Sequence, residues 1–154
     1  MSAIIEDRAS AGHALTRCLL KYRKQHDVIV LALPRGGVPV GAAIAHGLHA
    51  PLDIMLVRKL GTPGYEELAM GAIASGGVRV LNADIVSEFN LSDRDIERVA
   101  AREQAELERR ERAYRAQRPW PHLEGKRVIL VDDGVATGAT MRAAIQALRA
   151  QQPD

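Results

Sequence analysis

Cysteine and aromatic residues are almost missing from this chain. Its single cysteine, Cys18, can neither close an internal disulfide nor join a thiol cluster around zinc, which excludes disulfide scaffolds and Cys-rich metal modules. Aromatics make up 3% of the residues, too few rings for an extended base-stacking platform. No apolar run approaches the ~20 residues a bilayer helix needs, and the start, MSAIIEDRAS, has neither the basic head nor the apolar core of a secretion signal. A cytoplasmic location with no membrane partner is expected. An excess of one charge is missing too: the net charge of +2 demands no nucleic-acid partner yet suits a small anionic ligand. What is present, 47% hydrophobic and 26% charged residues over 154 positions, is the composition of a chain that folds as a single domain, residues 1–154, around one core.

Hydrophobic periodicity divides the chain into alternating elements. Ala11, Ala14, Leu15, Cys18, Leu19 and Tyr22 recur at helical spacing, so a helix is expected from about Asp7 to Lys24 with these residues, Cys18 included, facing the core. Val28 to Leu33 is a continuous, β-branched-rich run, the pattern of a strand buried on both faces in a parallel sheet. A close-packed helix over Val38 to Gly47 and a second strand over Leu52 to Val57 complete a βαβ unit. Gly61 to Glu67 combines two glycines, a proline and two acids, and is expected to be a mobile loop. Met70–Ser75 and Val78–Leu81 flank a Ser75-Gly76-Gly77 hairpin signal. A charged helix follows from Ser92, capped through Asp95, to about Arg118. Its eight arginines against seven acids make a salt-bridged face rather than an RNA patch. The last strand spans Arg127 to Val131, and the last helix runs from about Ala139 to Ala150 with Met141, Ala144, Ile145 and Leu148 on one face. The fold class is therefore α/β, a Rossmann-like parallel sheet flanked by helices, whose ligands bind at the carboxyl ends of the strands.

Those ends carry the chemistry-bearing residues. Strand one ends at Pro34-Arg35-Gly36-Gly37, strand two at Arg58-Lys59 and the last at Asp132-Asp133, followed by Gly134-Val135-Ala136-Thr137-Gly138-Ala139-Thr140 and a helix. Backbone amides of a Gly/Thr loop at a helix N-terminus converge on an anion, the helix dipole assists, and threonine hydroxyls add donors. Two carboxylates just before such a cradle would repel a phosphate unless they serve vicinal sugar hydroxyls or a divalent cation. A phosphorylated sugar satisfies both halves. The P-loop pattern fails because Gly134 to Thr140 holds no lysine, and the dinucleotide fingerprint fails because Gly36-Gly37-Val38-Pro39-Val40-Gly41 lacks its glycine spacing.

Val128 to Thr140, a hydrophobic strand, two acids and a Thr-Gly-x-Thr loop, resembles the phosphoribosyl diphosphate (PRPP) motif of type I phosphoribosyltransferases. Arg35-Gly36-Gly37 is similar to that family's pyrophosphate loop, Arg58-Lys59 resembles its basic pair after the second strand, and Gly61 to Glu67 its mobile catalytic loop. The resemblance implies that Asp132 and Asp133 hold the ribose 2- and 3-hydroxyls and that Gly134, Val135, Ala136, Thr137, Gly138, Ala139 and Thr140 bind the 5-phosphate. Arg35, Gly36, Gly37, Arg58 and Lys59 would face the pyrophosphate, with Asp132, Asp133 and Lys59 as the catalytic set. The implied reaction is Mg2+-dependent transfer of phosphoribosyl from PRPP to a small-molecule nitrogen acceptor in a homodimeric enzyme, with no protein ligand of the metal assigned. Ala136 stands where some purine-using members carry an Asp, which weakens a hypoxanthine or guanine assignment. The family would continue past Asp154 into further strands and a hood segment, so the fold is expected to be cut short at the C-terminus. The alternative is a PRPP-binding regulator without turnover. The five histidines are scattered, and only His46 and His49 have helical spacing, so metal ligation by histidine is not expected.

Overall fold

The computed structural model describes residues 5–135 and 138–154. In chain order it contains α1 (Arg8–Cys18), a 3-10 turn (Leu20–Tyr22), β1 (Val28–Ala32), α2 (Gly37–Leu48), β2 (Leu52–Ile54), β3 (Val57–Thr62) and β4 (Tyr65–Ala74). Then come β5 (Val78–Leu81), α3 (Ala83–Glu88), α4 (Asp93–Arg115), β6 (Arg127–Val131) and α5 (Ala139–Arg149). These form two compact units, one made of residues 5–55, 123–135 and 152–154, the other of 56–122 and 138–151. Among the described residues, no helix is long and apolar enough to cross a membrane.

The first unit holds a three-stranded parallel sheet in the order β2-β1-β6, with Val30 opposite Leu52 and Ile129. Every residue of β1 is buried, as a central strand of Val, Ile, Leu and Ala should be. Val40, Ile44 and Leu48 of α2 close the core over Val30 and Val131. The first helix is rotated relative to the face expected from periodicity: Gly12 and Thr16 are buried, while Leu15 and Cys18 are exposed. The reason is close helix packing. A Cβ at Gly12 would come within 2.5 Å of the Ala43 Cβ on α2, so small residues decide which face docks.

The second unit is an antiparallel meander, β3-β4-β5, packed by α4 and α5. Ile96, Val99, Ala100 and Leu107 of α4 meet Leu56, Leu60, Met70 and Ile73, so its narrow apolar stripe suffices. The capping box at Ser92 and Asp95 is formed in both directions at 3.1 Å. On α5 the buried face is Ala143, Ala144, Ala147 and Leu148, with Ile145 exposed, a rotation from the expected face.

Two expectations are corrected here. Leu52 to Val57 is not one strand: Met55 closes the first sheet with a bond from its N–H to Ala32 O (3.0 Å), and β3 starts at Val57 in the other sheet. The apolar run is continuous because Met55 and Leu56 are buried in different units. Gly61 to Glu67 is not a free loop but the tip of the β3–β4 hairpin. Gly64 adopts φ +80°, as a turn after proline requires, and Thr62 Oγ1 donates to Leu68 O at 2.8 Å. Its exposed residues gave no burial signal, although Thr62 pairs with Tyr65 and Gly61 with Ala69 across an irregular register. Each of the two units has its own buried hydrophobic cluster.

Candidate functional site

In the first unit the carboxyl ends of β1 and β6 lie side by side, Ala32 opposite Val131, and the Leu33 N–H donates to Val131 O at 2.8 Å. This register places Pro34-Arg35-Gly36-Gly37 against Asp132-Asp133. The Pro34–Arg35 peptide is cis. A Cβ at Gly36 would overlap the Asp133 carboxylate, and one at Gly37 would sit 2.7 Å from Val131 O and 3.1 Å from Asp132 Cα. Only glycine lets the turn close on the end of β6. Immediately beyond, α2 begins at Gly37 with no side-chain cap, presenting a helix N-terminus at the same end of the sheet.

The two carboxylates differ in electrostatics. Asp133 is exposed and accepts two bonds from Arg8 of α1, from Nε at 3.0 Å and Nη2 at 2.8 Å, and this guanidinium holds its carboxyl below the ordinary carboxylate range. Asp132 is half-buried. Burial pushes its carboxyl up and the neighbouring Asp133 adds to the shift, against the opposing bond from the Asp133 N–H to Asp132 Oδ1 (2.8 Å). Gly134 and Val135 are exposed beyond them, whereas Ala136 and Thr137 lie outside the described residues.

The second unit holds the remaining predicted residues. Adjacent positions on a strand face opposite sides, and the basic pair on β3 divides accordingly. Arg58 turns to α4 and pairs with Glu103 at 2.7 Å, both side chains largely covered, so it carries a structural ion pair. Lys59 lines a groove of about 420 Å³ with Gly71, Asn82, Ala139 and Arg142. Gly138 takes φ +79° at the N-terminus of α5, from which Ala139 and Thr140 start the helix, and the Arg142 N–H closes its first turn on Gly138 O at 2.9 Å. The structure therefore brings together Arg35, Gly36, Gly37, Asp132 and Asp133 in one unit, and Lys59 with Ala139 in the other.

Sequence reasoning missed Arg8, Asn82 and Arg142. Arg142 stands two residues beyond Thr140, close enough for the motif to have flagged it, but Arg8 meets Asp133 across 125 positions and no local pattern reports that. Among the described residues, no group of three or more His, Cys, Asp or Glu could hold a metal by itself. Two adjacent carboxylates do fit Mg2+, which commonly takes one or two carboxylates and completes its shell with water and substrate phosphates.

The sequence matches the phosphoribosyl transferase domain over residues 3–154. This chain belongs to that family. Two Mycobacterium tuberculosis proteins provisionally named phosphoribosyl transferases are 45% identical to it over 151 residues, 98% of this chain, and the chain spans 34% of their length. An adenine phosphoribosyltransferase from Marinobacter nauticus is 27% identical over 97% of the chain and 63% of its own length. Among solved structures, the Thermus thermophilus protein TT1426 superposes with a TM-score of 0.85 at 41% identity, covering 98% of this chain and 71% of that one. A purine phosphoribosyltransferase from Pyrococcus horikoshii, at 21% identity and a TM-score of 0.50 over 96% of this chain and 66% of its own, shares the fold. The α/β architecture, a parallel three-stranded sheet flanked by helices, is the expected one, and the phosphoribosyl transferase domain makes this a transferase-family chain.

Proposed function

We propose that this chain binds PRPP with Mg2+ and transfers its 5-phosphoribosyl group to a nitrogen acceptor, releasing pyrophosphate. The observation that carries the reading is the pairing of Asp132-Asp133 with the Arg35-Gly36-Gly37 turn at adjoining strand ends. Carboxylates accept bonds from vicinal ribose hydroxyls, and their negative charge favours the positive charge that develops at the anomeric carbon as its bond to pyrophosphate breaks. Arg35 and the amides starting α2 would hold the departing pyrophosphate, as would Lys59. Gly134 to Thr140 would cradle the 5-phosphate. The new C–N bond forms as the C–O bond breaks, and the acceptor's N–H proton passes to solvent or to a basic group. Mg2+, when bound near Asp132 and Asp133, would neutralise leaving-group charge. Arg58 has the weakest claim of the predicted set, since Glu103 already neutralises it.

The acceptor is read as a small nitrogen compound, possible nucleobases included, and the setting as a cytoplasmic homodimer. The alternative is a PRPP-binding regulator without turnover, and Ala136, where some purine-using members carry an acid, weakens a hypoxanthine or guanine acceptor. Pyrophosphate release from PRPP across a panel of purine, pyrimidine and simple amine acceptors tests the transferase reading. Acceptor-dependent release supports it, and saturable PRPP binding without release from any acceptor supports the regulator.

A further inference from the structure

We infer that Arg8 of α1 is a diphosphate-binding residue of the same site, its guanidinium resting on Asp133 until a ligand's diphosphate draws it away. The inference rests on the PRPP reading and adds to it a cation that no local motif contains. Arg8 reaches Asp133 with two donors, Nε at 3.0 Å and Nη2 at 2.8 Å, and both go to one oxygen, Oδ2. That same Oδ2 is the atom a Cβ at Gly36 would overlap. The guanidinium therefore stands one hydrogen bond away from the Arg35-Gly36-Gly37 turn, beside the uncapped start of α2.

Nothing in α1 itself accounts for a cation at this position. Arg8 opens the helix, where positive charge opposes the dipole, and the first turn holds no acid. The preceding acid, Asp7, is committed to the cap, accepting from the Ser10 N–H at 2.7 Å. What the placement does is bring a guanidinium to the ligand end of the sheet, across 125 positions of sequence. Its side chain is 59% exposed, so an incoming anion reaches it without disturbing the core. Two donors on one oxygen also fall short of the fork-on-fork pairing that engages both oxygens of a carboxylate. A diphosphate carries more negative charge than one carboxylate and suits the guanidinium fork equally well, so it takes these donors over. Asp133 is then released to accept from the ribose hydroxyls that the PRPP reading assigns to it. In the empty site the same contact neutralises an acid that would otherwise repel the approaching ligand.

The test is a calorimetric titration of the full chain with inorganic pyrophosphate, ribose 5-phosphate and PRPP in one Mg2+-containing buffer. Wild type is compared with Arg8→Ala, Arg8→Lys and Arg17→Ala, the last removing an arginine from the far end of α1 as a control for net charge. Arg8→Ala should weaken pyrophosphate and PRPP about tenfold, the loss of one charge-assisted contact. Ribose 5-phosphate should bind it as tightly as wild type, and Arg17→Ala should change nothing. Arg8→Lys keeps the charge without the fork and should lose less pyrophosphate affinity. Should the alanine variant not fold, weaker pyrophosphate binding with unchanged ribose 5-phosphate binding in Arg8→Lys supports the inference, and wild-type binding of both overturns it. It is also overturned if Arg8→Ala binds pyrophosphate as wild type does, or if Arg17→Ala loses as much affinity. Equal weakening of ribose 5-phosphate overturns it too, since Arg8 would then act only by holding Asp133 in place. Any of these results with a wild type that binds PRPP counts against Arg8 alone. A wild type that binds neither PRPP nor pyrophosphate contradicts the PRPP reading itself.

Discussion

Asp132 and Asp133 are neighbours in sequence, yet the fold moves their carboxyl groups in opposite directions. The Asp133 carboxyl is lowered by Arg8, so its contribution to stability is present above the unfolded carboxylate range, about 3.9, and is lost as pH falls through the folded value. Arg8→Ala should therefore lower the melting temperature at neutral pH, with the difference from wild type closing in acid. A constant difference across the pH range would refute the pairing. Asp132 is raised by burial, so ionising it at neutral pH opposes folding, and Asp132→Asn should keep or slightly raise the melting temperature while weakening PRPP binding. The two glycines facing these acids should separate in behaviour. Gly36→Ala displaces a side-chain carboxylate and should cost ligand affinity more than stability, whereas Gly37→Ala meets backbone oxygen and should cost about 1–3 kcal/mol, read by denaturant titration. The acids and glycines were legible in the sequence because their motif is local. Arg8 and the capture of Arg58 by Glu103 were not, since both partners arrive through tertiary structure.

At the scale of elements, legibility followed burial. The all-buried β1 and the capped start of α4 stood out because apolar runs and a Ser-x-x-Asp pattern are strong local signals. Replacing Ser92 with Ala removes the bond from the Asp95 N–H and should cost about 1 kcal/mol, measurable as a loss of stability with unchanged cooperativity. A neutral substitution would mean that the cap is replaced by solvent. The β3–β4 hairpin was misread because Tyr65 to Leu68 are exposed, and what orders them is tertiary: Tyr65 pairs with Thr62, whose Oγ1 also donates to Leu68 O. The faces of α1 and α5 were misassigned for a related reason. Periodicity weighs bulk hydrophobicity, whereas these helices dock through Gly12, Thr16, Ala143, Ala144 and Ala147.

At the scale of the whole molecule, strand and helix alternation identified an α/β fold without revealing that the chain divides into a parallel-sheet unit and an antiparallel one. The division was hidden because the boundary at Met55 and Leu56 lies inside an uninterrupted apolar run. Membership of the phosphoribosyl transferase domain family supports a PRPP ligand, and the central claim is that Asp132 and Asp133 bind it. The most direct test is a thermal-shift titration of wild type and Asp132→Asn with PRPP and Mg2+, using ribose 5-phosphate and pyrophosphate as controls. PRPP at ~100 times its dissociation constant should stabilise the wild type by about 2.7 kcal/mol. That gain should depend on Mg2+, exceed both controls and disappear in Asp132→Asn. No shift in the wild type, or an equal shift in the variant, would contradict the assignment of these acids to PRPP.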